Sequence, residues 1–127
     1  MIVVDASVLI GHLDGADPHH EKATQMLLDA AEYPLGASTI TIAEVLVRPA
    51  QGDRLSAAQS ALDALALQEI PLEPGAAFRL ARLRAETRLK LPDCCVLLAA
   101  LECSAERALT LDDRLRAQAL RLGIGTG

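Results

Sequence analysis

Four carboxylates in this 127-residue sequence could be brought together into one reactive site. Asp5 and Asp112 each follow an apolar run typical of a strand, Glu44 lies inside an apolar helical segment, and Asp93 begins another. Carboxylates that converge raise one another's pKa and need a cation, and Mg²⁺ or Mn²⁺ is the natural partner because these hard ions prefer oxygen ligands. The chemistry expected from such a cluster is metal-assisted hydrolysis.

Each carboxylate also has a purely structural explanation when it is taken alone. Asp5 could cap the helix that follows its strand, Glu44 could turn to solvent, and Asp93 would be stabilised by the dipole of the helix that it begins. For single residues these alternatives remain open. The functional hypothesis therefore depends on whether the fold brings the four to one place.

The hydrophobic pattern predicts alternating strands and helices along the whole chain. Strands are expected at 2–4, 35–39, 68–72 and 107–111, with a short edge strand at 122–124 before a frayed tail at 125–127. Helices are expected at 7–13, 18–32, 41–47, 55–67, 75–90, 91–101 and 114–121. This alternation predicts one α/β domain over residues 1–127, a small central parallel sheet with helices on both faces.

Composition limits the class of protein. Hydrophobic residues make up 51% of the chain and aromatic residues only 2%, so the core must be aliphatic. No apolar run is long enough to span a membrane and no signal peptide is evident, which predicts a cytoplasmic protein. The three cysteines lack the paired spacing of a zinc site, and we expect them to be reduced core residues.

The charges are unevenly distributed. Residues 1–78 hold 11 acidic and 3 basic side chains, whereas residues 79–127 hold 6 and 9. An acidic pocket beside a basic face suits an enzyme that acts on a phosphate backbone, although a solvated surface helix explains the basic residues nearly as well. The basic face consists of Arg79, Arg82, Arg84, Arg88 and Lys90.

The segments around the four carboxylates resemble the acidic motifs of PIN-domain nucleases, and the length, order and spacing are most similar to the VapC toxins of bacterial type II toxin–antitoxin pairs. The segments are Val4-Asp5-Ala6-Ser7-Val8-Leu9-Ile10, Thr41-Ile42-Ala43-Glu44-Val45-Leu46, Leu91-Pro92-Asp93-Cys94-Cys95-Val96-Leu97-Leu98-Ala99 and Leu109-Thr110-Leu111-Asp112-Asp113-Arg114-Leu115. Each motif is weak by itself, but four in this order cover essentially the whole chain.

The resemblance implies a PIN-like fold and a Mg²⁺-dependent endoribonuclease in which Mn²⁺ is a plausible substitute. Asp5 and Asp93 would be the principal metal ligands, Asp112 would support them, and Glu44 would orient the attacking water. Metal-activated water would hydrolyse the RNA phosphodiester and leave a 5'-phosphate.

Small polar residues accompany two of these carboxylates. Ser7 and Thr110 stand where the family has small polar residues, and they could hydrogen-bond the carboxylates or a phosphate. Two departures from the family pattern matter. Leu115 replaces a frequent aromatic residue, and Asp113 beside Asp112 leaves the fourth acid open to a one-residue error.

The resemblance further implies partners. These are a small VapB-type antitoxin that occludes the acidic pocket, often with a basic side chain, and a second copy of the toxin in a homodimer. The RNA backbone would lie along the basic face, with Arg79, Arg82, Arg88 and Lys90 as the candidate contacts.

Two other functions compete with this hypothesis. A receiver domain shares the size and an acidic magnesium pocket, but it needs an acidic pair after the first strand and a lysine after a later one, where Thr110-Leu111-Asp112 offers none. A PIN-like fold kept only as a binding module is the stronger alternative. The presence of all four acids argues against it.

Overall fold

The computed structural model describes residues 1–127 and contains five strands and seven helices. The strands are β1 (Ile2–Val4), β2 (Leu35–Ser38), β3 (Gln68–Ile70), β4 (Arg107–Leu109) and β5 (Gly125–Thr126). The helices are α1 (Ala6–Leu13), α2 (His20–Asp29), α3 (Thr39–Gln51), α4 (Leu55–Ala64), α5 (Ala76–Thr87), α6 (Leu91–Glu102) and α7 (Asp113–Arg121).

The strands form one all-parallel sheet in the order β3-β2-β1-β4-β5. In the centre, Ile2 pairs with Leu35 on one side and with Arg107 on the other. Because all the strands run the same way, their carboxyl ends meet at a single edge, which is where open α/β sheets carry their sites. The predicted parallel sheet with helices on both faces is confirmed.

The two faces of the sheet bury separate hydrophobic clusters. Alternate side chains of a strand point to opposite faces, so Val3 packs with Leu97 and Leu115 while Ile2 and Val4 pack on the other face. That second face carries Leu9, Leu27 and Val45 from α1, α2 and α3. The core is aliphatic, as the composition predicts.

The helix α6 is the most deeply buried helix of the fold. Seven consecutive residues from Cys94 to Ala100 are buried, which explains why this segment is apolar nearly all round. All three cysteines are free; Cys94 and Cys95 are in the core, whereas Cys103 is only partly buried. No helix of the fold combines the length and the apolar character required to cross a membrane.

Several predicted helix boundaries are wrong, and α2, α4 and α5 each end about three residues earlier than predicted, at Asp29, Ala64 and Thr87. The second helix begins at His20 rather than at Pro18, because Asp17 accepts the amide of His19 and closes a turn that precedes the helix. The third helix continues through Pro49 to Gln51. A proline in the last turn removes only one intrahelical hydrogen bond, and the Pro49 carbonyl accepts the amide of Arg54 at 2.7 Å.

The predicted edge strand at 122–124 and the predicted frayed tail are also wrong. The chain turns at Gly123, whose φ is +81°, and Gly125 and Thr126 then pair with β4 as the outermost strand. Gly125 lies so close to β4 that an added Cβ would be 2.6 Å from the carbonyl oxygen of Glu106. The glycines that suggested a loose tail instead permit this close pairing.

Candidate active site

Asp5 stands at the carboxyl end of the central strand β1. Its side chain is only 6% exposed, and although the residue occupies the N-cap position of α1, the carboxylate does not cap that helix. The structural explanation for Asp5 therefore fails. A carboxylate that is buried without a capping role or an ion pair is costly, which is typical of a functional group.

Two hydroxyl groups hold the Asp5 carboxylate in one orientation. Ser7 and Thr110 both donate to its Oδ2, at 2.7 and 2.8 Å. Each hydroxyl in turn accepts a backbone amide at 3.0 Å, Ser7 from Leu111 and Thr110 from Asp112. The hydroxyl protons are thus directed to one oxygen of Asp5, and neither hydroxyl donates to Oδ1.

Replacement of Thr110 with Val is expected to destabilise the protein by about 1–3 kcal/mol, because the buried Asp5 Oδ2 and the partly buried Asp112 amide both lose a partner while the side-chain shape is kept. Urea unfolding measures the difference. Thr110→Ser is the matched control, since it retains both hydrogen bonds and loses one methyl group. Equal stability of wild type and Thr110→Val would show that the hydroxyl does not support Asp5.

Glu44 and Asp93 lie within electrostatic reach of Asp5. Partial burial is the main cause that raises the pKa of each carboxyl above its ordinary value, and the negative charge of Asp5 raises both further. Asp93 also raises the pKa of Glu44. Glu44 is exposed on α3 and Asp93 is half-buried in the first turn of α6, so Glu44 forms the outer rim of the acidic site.

Asp112, and not its neighbour Asp113, is the acid whose charge acts on Asp93. Burial is the largest cause that raises the pKa of Asp93, followed by the charge of Asp5 and then that of Asp112. The charge of Asp112 therefore reaches the acidic cluster. Its Oδ1 caps α7 by accepting the amides of Arg114 and Leu115, so Asp112 has a structural role as well. Asp113 is 96% exposed and forms an ion pair with Arg116. These observations favour Asp112 over Asp113 as the fourth acid.

The predicted basic residues are distributed along α5 and the short segment that follows it. Arg79 forms a 3.1 Å ion pair with Glu102 at the far end of α6, about 14 Å along the helix from Asp93. Arg82 and Arg88 are exposed. Lys90 lowers the pKa of Asp93, so its charge reaches the acids.

Arg114 is a basic residue at the site that the sequence pattern had not indicated. Together with Lys90 it opposes the rise in the pKa of Asp93, so its positive charge reaches the acidic cluster. A signal was present, because Arg114 lies two residues after Asp112 in the first turn of the same helix.

The donor set fits a hard divalent cation. The four acids offer only oxygen ligands, and both ion pairs of the structure lie elsewhere, at Arg79–Glu102 and Arg116–Asp113. Asp5 is fixed through one oxygen while the other receives no hydroxyl proton. As they stand, no three His, Cys, Asp or Glu side chains are close enough together to hold an ion. The fit of a divalent cation therefore depends on the oxygen donors and on the negative charge of four carboxylates that form no ion pair.

The five-stranded parallel sheet and the acids at its carboxyl edge define a single-domain α/β protein with an acidic site. A family model described as PIN domain matches residues 2–120. The chain therefore belongs to the PIN domain family, as the four motifs predict.

Solved structures with a similar fold include toxins. A toxin–antitoxin complex from Klebsiella pneumoniae is 26% identical with a TM-score of 0.72, covering 88% of this chain and 87% of that one. VapC20 of Mycobacterium tuberculosis, described as a sarcin-ricin loop cleaving toxin, is 15% identical with a TM-score of 0.76, covering 93% and 95%. VapBC2 from Rickettsia felis, bound to a promoter DNA fragment, is 18% identical with a TM-score of 0.71, covering 100% and 98%. No curated protein sequence matches this chain.

Proposed function

We propose that the protein is a Mg²⁺-dependent endoribonuclease and acts as the toxin of a VapBC-type toxin–antitoxin pair. The observation that carries the proposal is the buried Asp5 carboxylate, oriented by two hydroxyls and accompanied by three further acids without an ion-paired cation. The family and the similarity to a toxin–antitoxin complex support the same proposal. One of the similar structures is described as an RNA-cleaving toxin.

Asp5 and Asp93 would hold Mg²⁺, with Asp112 as a supporting ligand. When bound, the ion polarises the phosphate and lowers the pKa of water. Ser7 and Thr110 keep Asp5 in one rotamer, so its free oxygen stays directed at the site. Glu44, whose pKa is raised by burial and by Asp5, is suited to orient the attacking water and take its proton while the P–O3' bond breaks.

The antitoxin would bind next to Glu44. A groove of about 530 Å³ extends from Glu44 between α1, α3 and α4, with Ile10 and Leu13 among its apolar lining and Arg48 and Arg54 among its charged lining. A peptide with both apolar and charged side chains complements this surface. A segment of the antitoxin in this groove could extend a basic side chain to the acids.

We also propose a homodimer, and the RNA backbone is proposed to pass over Arg82, Arg88 and Lys90. Phe78 on α5 is 85% exposed and is the most exposed large apolar side chain of the protein. Its burial against a second copy would remove apolar surface from water. Arg79 contributes less to RNA binding in this arrangement because it is already paired with Glu102.

The proposed function predicts that purified protein cleaves RNA with Mg²⁺ and that Asp5→Asn does not, because the substitution removes a metal-ligating charge while nearly preserving shape. The measurement is gel analysis of a pool of structured RNAs with Mg²⁺ or with EDTA. Loss of cleavage in both the variant and the chelated sample is the expected result. Equal cleavage by both proteins would indicate a contaminating nuclease, and no cleavage by wild type while Mg²⁺ still binds would favour the binding module.

A further inference from the structure

Arg114 is a free cation at the edge of the acidic site. Its backbone amide donates to Asp112 Oδ1 at 2.8 Å, which fixes the residue beside the fourth acid. Leu115, the next residue, is fully buried, so the first turn of α7 is anchored to the core. The Arg114 guanidinium is exposed and takes part in no ion pair or side-chain hydrogen bond of the structure. The backbone of Arg114 is therefore held in place while its guanidinium has no partner within the protein.

Neighbouring arginines differ from Arg114 in this respect. Arg116 donates to the Thr110 carbonyl at 2.6 Å and pairs with Asp113, so both ends of its guanidinium are occupied. Arg121, at the other end of the same helix, donates to Gln118 and to the Glu86 carbonyl. Arg114 is therefore the arginine of α7 whose donors are available to a ligand.

The positions of two basic residues beside the acids indicate what this ligand is. Arg114 lies in the first turn of α7, where its amide donates to Asp112, and Lys90 immediately precedes α6, whose first turn contains Asp93. A metal ion would occupy the acids, and a guanidinium beside it complements a planar pair of phosphate oxygens. The anion that both an acid-bound metal and an arginine can hold together is a phosphodiester.

We propose that Arg114 binds the substrate RNA by donating to the phosphate at or next to the scissile bond, opposite the acids that hold the metal. This inference rests on the proposed function. It assigns substrate binding to a residue that is not one of the four acids. The guanidinium offers up to two parallel hydrogen bonds to the phosphate, and Lys90 adds a point charge to the same backbone.

The test compares Arg114→Gln with Arg121→Gln, a matched control about 10 Å further along the same helix. The measurements are single-turnover cleavage of a structured RNA with Mg²⁺, and fluorescence anisotropy of a short labelled single-stranded RNA with Ca²⁺, both at several salt concentrations. We expect Arg114→Gln to lower kcat/KM by about 10-fold or more and to reduce the salt slope of binding by about 0.7. Arg121→Gln should match wild type, and Arg114→Lys should recover part of the binding because it retains the charge.

The outcomes separate this inference from the proposed function. If wild type cleaves RNA and both glutamine variants match it in rate and salt slope, the inference is wrong and the nuclease stands. A shifted pH profile with an unchanged salt slope would assign Arg114 to tuning Asp93 and would also overturn phosphate binding. If wild type neither binds nor cleaves RNA with Mg²⁺, both proposals fail.

Discussion

Asp93→Asn is expected to abolish cleavage and at the same time to stabilise the fold. Loss of the proposed metal ligand should reduce the rate by more than the roughly 10- to 100-fold typical of groups that only orient ligands. The stability gain follows from the raised pKa of Asp93, which burial, Asp5 and Asp112 cause in that order. The folded protein holds the Asp93 proton more tightly than the unfolded chain, so ionisation destabilises the fold as pH rises through the raised pKa. Asparagine carries no charge at neutral pH and avoids this cost.

Cleavage assays and thermal denaturation without Mg²⁺ check both parts of this prediction. The matched control is Asp113→Asn, the same change in the first turn of α7 at a carboxylate that is 96% exposed and paired with Arg116. It should retain activity and gain no stability. An Asp93→Asn protein that still cleaves, or one with a lower Tm than wild type at neutral pH, would contradict the role of Asp93 in an uncompensated acidic cluster.

The second large effect expected is stabilisation by Mg²⁺ with a characteristic pH dependence. A ligand at a hundredfold excess over its Kd adds about 2.7 kcal/mol to the free energy of unfolding. Glu44 and Asp93 must be ionised for the site to carry its full charge, and the pKa of each is raised. Mg²⁺ stabilisation should therefore be complete at neutral pH and should decrease as pH falls through these raised values. Without the ion the sign reverses, because the same two groups contribute stability below their unfolded pKa and lose it as pH rises.

Thermal denaturation with and without Mg²⁺ across this pH range provides the measurement. Samples with NaCl at the same ionic strength control for general screening. Asp5→Asn protein should show little Mg²⁺-dependent shift at any pH. A Tm that rises equally with NaCl, or a Mg²⁺ shift that grows on acidification, would be incompatible with a divalent site formed by these carboxylates.

The elements that follow clear periodic patterns could be predicted from the sequence. The β-branched run before Asp5 indicated a buried central strand, and the apolar segment after Pro92 indicated the buried helix α6. The motifs predicted the four acids as site residues and predicted that Ser7 and Thr110 hydrogen-bond a carboxylate or a phosphate; both donate to the Asp5 carboxylate. The local sequence was sufficient to predict an element where its hydrophobic periodicity coincided with a motif.

Other features depend on contacts between distant residues, which a local pattern does not encode. Pro49 does not end α3, because its position in the last turn removes only one hydrogen bond. Gly125 enters a strand because β4 lies beside it. Arg79 lies beside the far end of α6, where it pairs with Glu102, whereas the Arg114 amide donates to Asp112 at the start of α7. The charges of Arg79 and Arg114 did not predict how far each lies from the acids.

The hydrogen bond between Thr110 and Asp5 joins residues that are 105 positions apart. During synthesis, a nascent chain that lacks β4 cannot orient Asp5, because Thr110 and the amides of Leu111 and Asp112 still lie within the ribosome or are not yet translated. Asp112 itself, the last of the four acids, emerges later than the other three. Asp5 is therefore oriented only after the chain has been translated through Asp112, and a product that ends before β4 should lack this orientation.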